Sequence, residues 1–239
     1  MRERPRVQPL PLDRPAAFGD RFAPGPPRAV VAPVVDLGRV GTRRRYERGE
    51  TALAQGSAFR ALFVVERGLF RESAVSNDGR WFVHGLLGPG AVFGSVAVAG
   101  ATTTVRAATR AEATSLRPED FASLLARRSD AAWALIAGME ERARRGRAAA
   151  EDLAWLDVPA RIRRRLAELA LEHGRPVGDG VRIDAAITQE ELGAMIGATR
   201  ETVNRALVPL IAAGHIRVDR RRWVVRPSIF DGAADDRST

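Results

Sequence analysis

Between Thr199 and Arg205 the chain reads Thr-Arg-Glu-Thr-Val-Asn-Arg, with two guanidinium groups set around one carboxylate. Those side chains suit the edges of base pairs. Arg donates bidentately to O6 and N7 of guanine, and Glu accepts from N4 of cytosine. A helix with Arg200, Glu201 and Arg205 on one side can read bases in a major groove if a second helix holds it there. Thr199, Thr202 and Asn204 complete the polar side, while Val203, Ala206, Leu207 and Leu210 recur at helical spacing on the other. The competing reading is a solvated charged face, which is commoner for charged helices in general. Cap, turn and order of polar residues agree here, and they favour contact with double-stranded DNA.

The elements that must position these groups are legible nearby. Thr188 followed by Glu191 is a capping box and predicts a helix start, with Gln189 beside it on the DNA-facing side. Leu192 and Ile196 give that helix a buried face. Gly197 sits where a tight turn needs a positive φ, and Thr199 is a good N-cap for the second helix. Downstream, His215–Val218 and Trp223–Val225 are β-like runs around Asp219-Arg-Arg-Arg222, a hairpin wing with a basic tip. Arg220, Arg221 and Arg222 would lie near phosphates, which supply affinity and salt dependence but no sequence choice. A solvated turn explains them equally well. Pro209 lacks an N–H and would meet the carbonyl of Arg205, which leaves open a kink there and with it a changed reach for Arg205.

The chain has 239 residues, enough for one or two domains, and a net charge of +9. All 38 basic residues are Arg. The basic balance is compatible with nucleic acid. The absence of Cys excludes disulfides and Cys-ligated zinc or iron–sulfur centres. No apolar run approaches the roughly 20 residues of a membrane span, and the Arg- and Pro-rich start has no apolar core of a secretory signal. A cytoplasmic protein without a membrane partner is expected. Residues 1–30 read as a disordered extension and 231–239 as a tail.

Residues 31–117 are read as β structure, with short Val-, Phe- and Leu-rich runs punctuated by Gly, which suggests a barrel or roll. Helical pattern follows over 118–156, and Asp130 to Leu156 predicts one helix about 40 Å long at about 1.5 Å per residue. Ile136, Met139, Ala143, Gly146, Ala150 and Leu153 step along it by threes and fours, a seam for a second copy of the helix and hence a homodimer. Packing of that face on the chain's own β domain is the alternative. Leu156-Asp-Val-Pro159 breaks the pattern. A further helix with Ile162, Leu166 and Leu169 inward opens the segment 157–230 and stops at His173-Gly174-Arg-Pro176.

Residues 187–207 closely resemble the winged helix of the cyclic-AMP receptor protein (CRP)/FNR family of bacterial transcription regulators, whose recognition helix follows [ST]-R-E-T-V-x-R. The resemblance extends over roughly residues 36–228. Tyr46-Glu-Arg-Gly-Glu50, Gln55-Gly56, Glu66-Arg-Gly68, Asp78-Gly79, Gly88-Pro-Gly90, Phe93-Gly94, Val105-Arg-Ala107 and Leu156-Asp-Val158 fall where that family's turns and motifs fall. It implies an α+β fold: an N-terminal β-roll like a cyclic-nucleotide-binding jelly roll, a long dimerisation helix and a C-terminal winged helix-turn-helix. It also implies a TGTGA-type palindrome, with Arg200 and Arg205 on guanines and Glu201 on cytosine. The hinge at Asp157-Val158 would relay effector state, and RNA polymerase is a candidate further partner.

The family's nucleotide cassette runs G-E-L and later R-[ST]-A, its Glu on the ribose and its Arg on the cyclic phosphate. Here the matching positions are Gly94-Ser95-Val96 and, after a shorter loop, Ala101-Thr102-Thr103. The Arg is the strongest grip such a pocket has on phosphate, so cyclic AMP is not expected in the usual mode; another small effector, or none, stays open. The adenine-contacting pair of the family's long helix falls on Gly146-Arg147, where Arg147 either restores some charge or is a solvated flank residue. Arg106 is read as a roll residue, and His84 as structural rather than a haem ligand. The FNR-type oxygen sensor is out for want of Cys. Nothing in the residues suggests an enzyme: the three His are scattered, and no phosphate loop or paired carboxylates stand out. The alternative is an effector-binding module with a vestigial DNA-binding role.

Overall fold

The computed structural model describes residues 40–58, 60–95, 100–219 and 222–230. The expected N-terminal extension, the tail, Val96, Arg220 and Arg221 lie outside the described residues.

Among the described residues eight strands come first: β1 (Thr42–Tyr46), β2 (Thr51–Leu53), β3 (Ala61–Arg67), β4 (Phe70–Val75), β5 (Trp81–Leu87), β6 (Val92–Ser95), β7 (Thr104–Ala107) and β8 (Ala111–Leu116). They form two antiparallel sheets, ordered β1-β8-β3-β6 and β2-β7-β4-β5. Their inner faces close on Tyr46, Phe63, Phe70, Phe93 and Val105. Phe63 and Phe93 stack at 4.8 Å, and Tyr46 meets Phe70 edge-on at 5.3 Å, geometries that aromatic quadrupoles favour. Gly94 lies within β6 at φ +92, and a Cβ there would stand 2.3 Å from the Ala61 carbonyl oxygen. Only glycine lets β6 approach β3 so closely.

The helical segment expected over 118–156 is divided. Helix α1 (Pro118–Arg127) ends at Arg128, whose φ −133 and ψ 85 leave the helical region, and α2 runs over Ser129–Trp155. The Arg128 guanidinium grips Asp130 through two bonds, 2.9 and 2.7 Å, which stabilises the corner between them. Helix α3 (Val158–His173) starts where the sequence breaks, because Asp157 caps it by accepting from the Ala160 N–H at 2.8 Å.

The remaining elements are β9 (Gly174–Val177), β10 (Gly180–Ile183), α4 (Gln189–Ile196), α5 (Arg200–Ala212), β11 (Ile216–Asp219) and β12 (Arg222–Val225), then a 3-10 turn over Pro227–Phe230. The four strands form one antiparallel sheet, ordered β11-β12-β10-β9. The β9–β10 hairpin was not expected, because Gly174 and Pro176 read as stop signals of the preceding helix. Trp223 sews this sheet to α4 by donating its indole N–H to the Ile187 carbonyl at 2.8 Å.

One hydrophobic core spans both halves of the chain. Leu69, Val83 and Leu86 of the roll belong to the same packed cluster as Ile162, Leu166, Leu192, Val203 and Leu207. Each such side chain contributes about 1.5–3 kcal/mol when fully buried, so α5 rests on a scaffold that includes the roll. Among the described residues no helix is long and apolar enough to cross a membrane.

Candidate nucleic-acid interface

Helix α4 begins with both halves of the capping box formed: Thr188 Oγ1 accepts from the Glu191 N–H at 3.0 Å, and Glu191 Oε2 accepts from the Thr188 N–H at 2.7 Å. Gly197 closes it at φ +67, ψ 39, a left-handed turn. Thr199 then caps α5, accepting from the Thr202 N–H at 3.2 Å. The apolar face of α5 is sealed, with Val203, Leu207 and Leu210 buried. Arg200, Glu201, Asn204 and Arg205 are all exposed, at the helix's N-terminal end. Gln189 donates to Asn204 Oδ1 at 3.3 Å and ties α4 to α5 on that side. Arg205 lies before Pro209, and α5 continues through the proline to Ala212.

The wing forms as expected, with β11 and β12 paired from Ile216↔Val225 to Asp219↔Arg222. Arg222 is partly buried at the foot of its tip.

In the roll, Ala101 is pinned by its backbone, donating to Ser57 O at 2.9 Å and accepting from Gly56 N at 2.7 Å. Ser95 pairs with Ala61 across β6 and β3. Thr102 is exposed, whereas the Thr103 hydroxyl donates at 2.9 Å to Glu72 Oε1. Glu72, on the inner face of β4 beside Phe70, is 5% exposed, and its other oxygen meets Arg142 Nη2 of α2 at 2.5 Å. Sequence reasoning missed this pair. Its signal was a carboxylate two residues after Phe70 in a strand whose alternate residues point inward. Gly146 and Arg147 are exposed on α2; the residue that reaches the roll is Arg142. Arg106 donates to Thr51 Oγ1 at 3.3 Å within the roll, and the His84 side chain is exposed while its carbonyl accepts from Arg165 at 3.0 Å.

Two more polar features join the roll to the DNA-reading half. Arg71, next to Glu72 but on the opposite face of β4, pairs with Glu191 Oε1 of the capping box and lies over the Trp81 ring at 5.3 Å. Burial first, and then repulsion by Arg106 and Arg48, holds the Arg71 pKa below its ordinary range. His173, at the end of α3, lies against Gly88 of the roll. Burial pushes its pKa down to about 4, with Arg145 and Arg165 adding to the effect and a hydrogen bond to the Leu86 backbone opposing it. The neighbouring Glu172 is raised by burial, against the pull of Arg145 at 2.7 Å.

A β-roll leading through a long helix into a helix-turn-helix defines a DNA-binding regulator of the kind that carries a sensory domain. Comparison agrees segment by segment: residues 43–128 match the cyclic nucleotide-binding domain and 160–227 the Crp-like helix-turn-helix domain. The chain is 30% identical over 195 residues to the cAMP-activated global transcriptional regulator Vfr of Pseudomonas aeruginosa, covering 77% of this chain and 88% of Vfr. It is 29% identical over 186 residues to the CRP-like cAMP-activated global transcriptional regulator of Mycobacterium tuberculosis, covering 77% and 83%. A solved CRP-family transcriptional regulator from Thermus thermophilus superposes with a TM-score of 0.69 at 25% identity, over 80% of this chain and 97% of its own. The chain therefore belongs to the CRP/FNR family of transcription regulators, which are not enzymes.

Proposed function

We propose that two copies of this chain pair along α2 and set their α5 helices into successive major grooves of a TGTGA-type palindrome, one helical turn apart. The observation that carries the reading is the exposure of Arg200, Glu201 and Arg205 on a helix whose other face is sealed. Arg200 and Arg205 take guanines and Glu201 a cytosine; Thr188, Gln189, Thr199, Thr202, Asn204 and the wing arginines position the helix on the backbone. Pairing along α2 is supported by its uncovered seam: Ile136 is 53% exposed, Met139 63% and Leu153 44%, and nothing lies within 4 Å of a Cβ built on Gly146. Apolar surface of that extent calls for a partner.

Relatives named as cAMP-activated lend the roll a candidate effector class, but this roll does not take cyclic AMP in the usual mode. Ala101 supplies no cation, and the arginine that reaches the cassette, Arg142, is already neutralised by Glu72. A buried phosphate would meet a carboxylate there, an expensive juxtaposition. The test is fluorescence anisotropy of the full chain on a TGTGA…TCACA palindrome and a scrambled duplex, with and without cyclic AMP. Preference for the palindrome that ignores cyclic AMP is expected. Binding only with cyclic AMP refutes the account of the cassette, and no preference under either condition refutes the operator.

A further inference from the structure

We propose that strand β4 is a two-faced relay, in which the consecutive residues Arg71 and Glu72 connect the cassette to the first helix of the DNA-reading unit. Alternate residues of a strand face opposite ways. Glu72 therefore points into the roll, where Thr103 of the cassette and Arg142 of α2 hold its carboxylate. Arg71 points out of the roll, where its only route to a carboxylate partner leads to Glu191 of α4 among the ion pairs of the described residues. The outer contact is shielded on both sides, with Arg71 21% exposed and Glu191 14%; on the inner side Glu72 is 7% exposed and Arg142 reaches it from a half-exposed position, 52%.

Glu191 makes the connection consequential because it uses both oxygens. One meets Arg71, and the other holds the Thr188 N–H that opens α4. The position of the guanidinium of Arg71 thus bears on the capping box, and through α4 and the Gln189–Asn204 bond on the set of α5. On the inner side, a ligand or helix movement that draws Arg142 away leaves Glu72 with Thr103 alone. A buried carboxylate short of a cation is strongly disfavoured, so β4 adjusts, and Arg71 travels with it because the two share a peptide bond. Arg71 and Glu72 are positioning residues; neither touches DNA. The proposal rests on the DNA-binding reading only for its biological consequence, since the coupling itself is measurable without DNA.

Hydrogen–deuterium exchange on the full-length protein, followed by mass spectrometry, tests it with three variants. Arg142→Ala changes a half-exposed residue and keeps the fold accessible if Glu72→Gln misfolds. Arg71→Met breaks the outer contact directly and calibrates the signal over residues 188–196. Arg142→Ala is expected to speed exchange over 188–196 by about fivefold or more, the lower range of measured site-to-site couplings, and Arg71→Met to speed it reciprocally in α2 around residue 142. If Arg71→Met loosens 188–196 while Arg142→Ala alters only the cassette and α2, the relay is overturned. Palindrome titrations on the same samples separate the two readings. Coupled exchange without specific DNA binding sinks the operator and leaves the relay; specific binding with uncoupled exchange does the reverse.

Discussion

Replacing His173 should flatten the acid side of this protein's stability profile. The imidazole sits between α3 and the roll, with its pKa near 4 against an ordinary 6.5. Between those two values the unfolded chain binds a proton at this position that the folded chain refuses. Folded wild-type protein is therefore fully free of this penalty above about pH 6.5 and loses stability as pH falls towards 4. The interval corresponds to about 3 kcal/mol at about 1.4 kcal/mol per pH unit. Glu172 works in the other direction, because its raised pKa makes protonation favour the folded state. Its carboxylate lies 3.6 Å from His173 Nε2, so repeating the measurement with Glu172→Gln in both proteins separates the two contributions. Urea unfolding of wild type and His173→Gln, measured from pH 7 to 4.5, should show wild type losing most of that about 3 kcal/mol relative to the variant. Parallel curves would refute a neutral, buried His173 in the fold, and an imidazole titrating near 6.5 by NMR would do so independently.

Arg200→Ala should cost about 1–3 kcal/mol on the palindrome and relax the guanine preference at one position; an equal loss on every duplex would mean a backbone contact instead. Ala143→Glu places a charge in the α2 seam and should yield monomers in sedimentation velocity, whereas a dimeric variant would remove the seam from the interface. Gly193→Ala sets a Cβ 2.5 Å from the Ala198 carbonyl oxygen, so α4 and α5 must separate. Thermal or urea unfolding should register a loss of about 1–3 kcal/mol, and an unchanged midpoint would show that the turn yields freely.

The DNA-reading unit was legible in the sequence because its signals are local. A capping box, a glycine turn and a second N-cap fall within a few residues of one another, and each fixes backbone geometry without help from elsewhere. The roll was legible as a class through its spaced Gly turns. The long helix was legible too, expected from Asp130 and observed from Ser129, whereas the separate helix Pro118–Arg127 was not set apart from it, because the corner between them depends on the grip of Arg128 on Asp130. The Glu72–Arg142 and Arg71–Glu191 pairs were hidden for a different reason. Alternation along β4 marks which face each residue takes, but which helix lies beyond that face is settled only when distant segments meet. A charged side chain in a list of residues carries no mark of its partner.

The common cluster of Leu69, Val83 and Leu86 with the helices of the winged domain also bears on how such proteins are dissected. The two matched segments meet in the stretch between residues 128 and 160, which invites a cut there. The oily contact ignores that border. A C-terminal fragment would carry a bare patch where the roll had been, prone to clump or to find a surrogate. The segments are units of descent; the unit that folds is the pair.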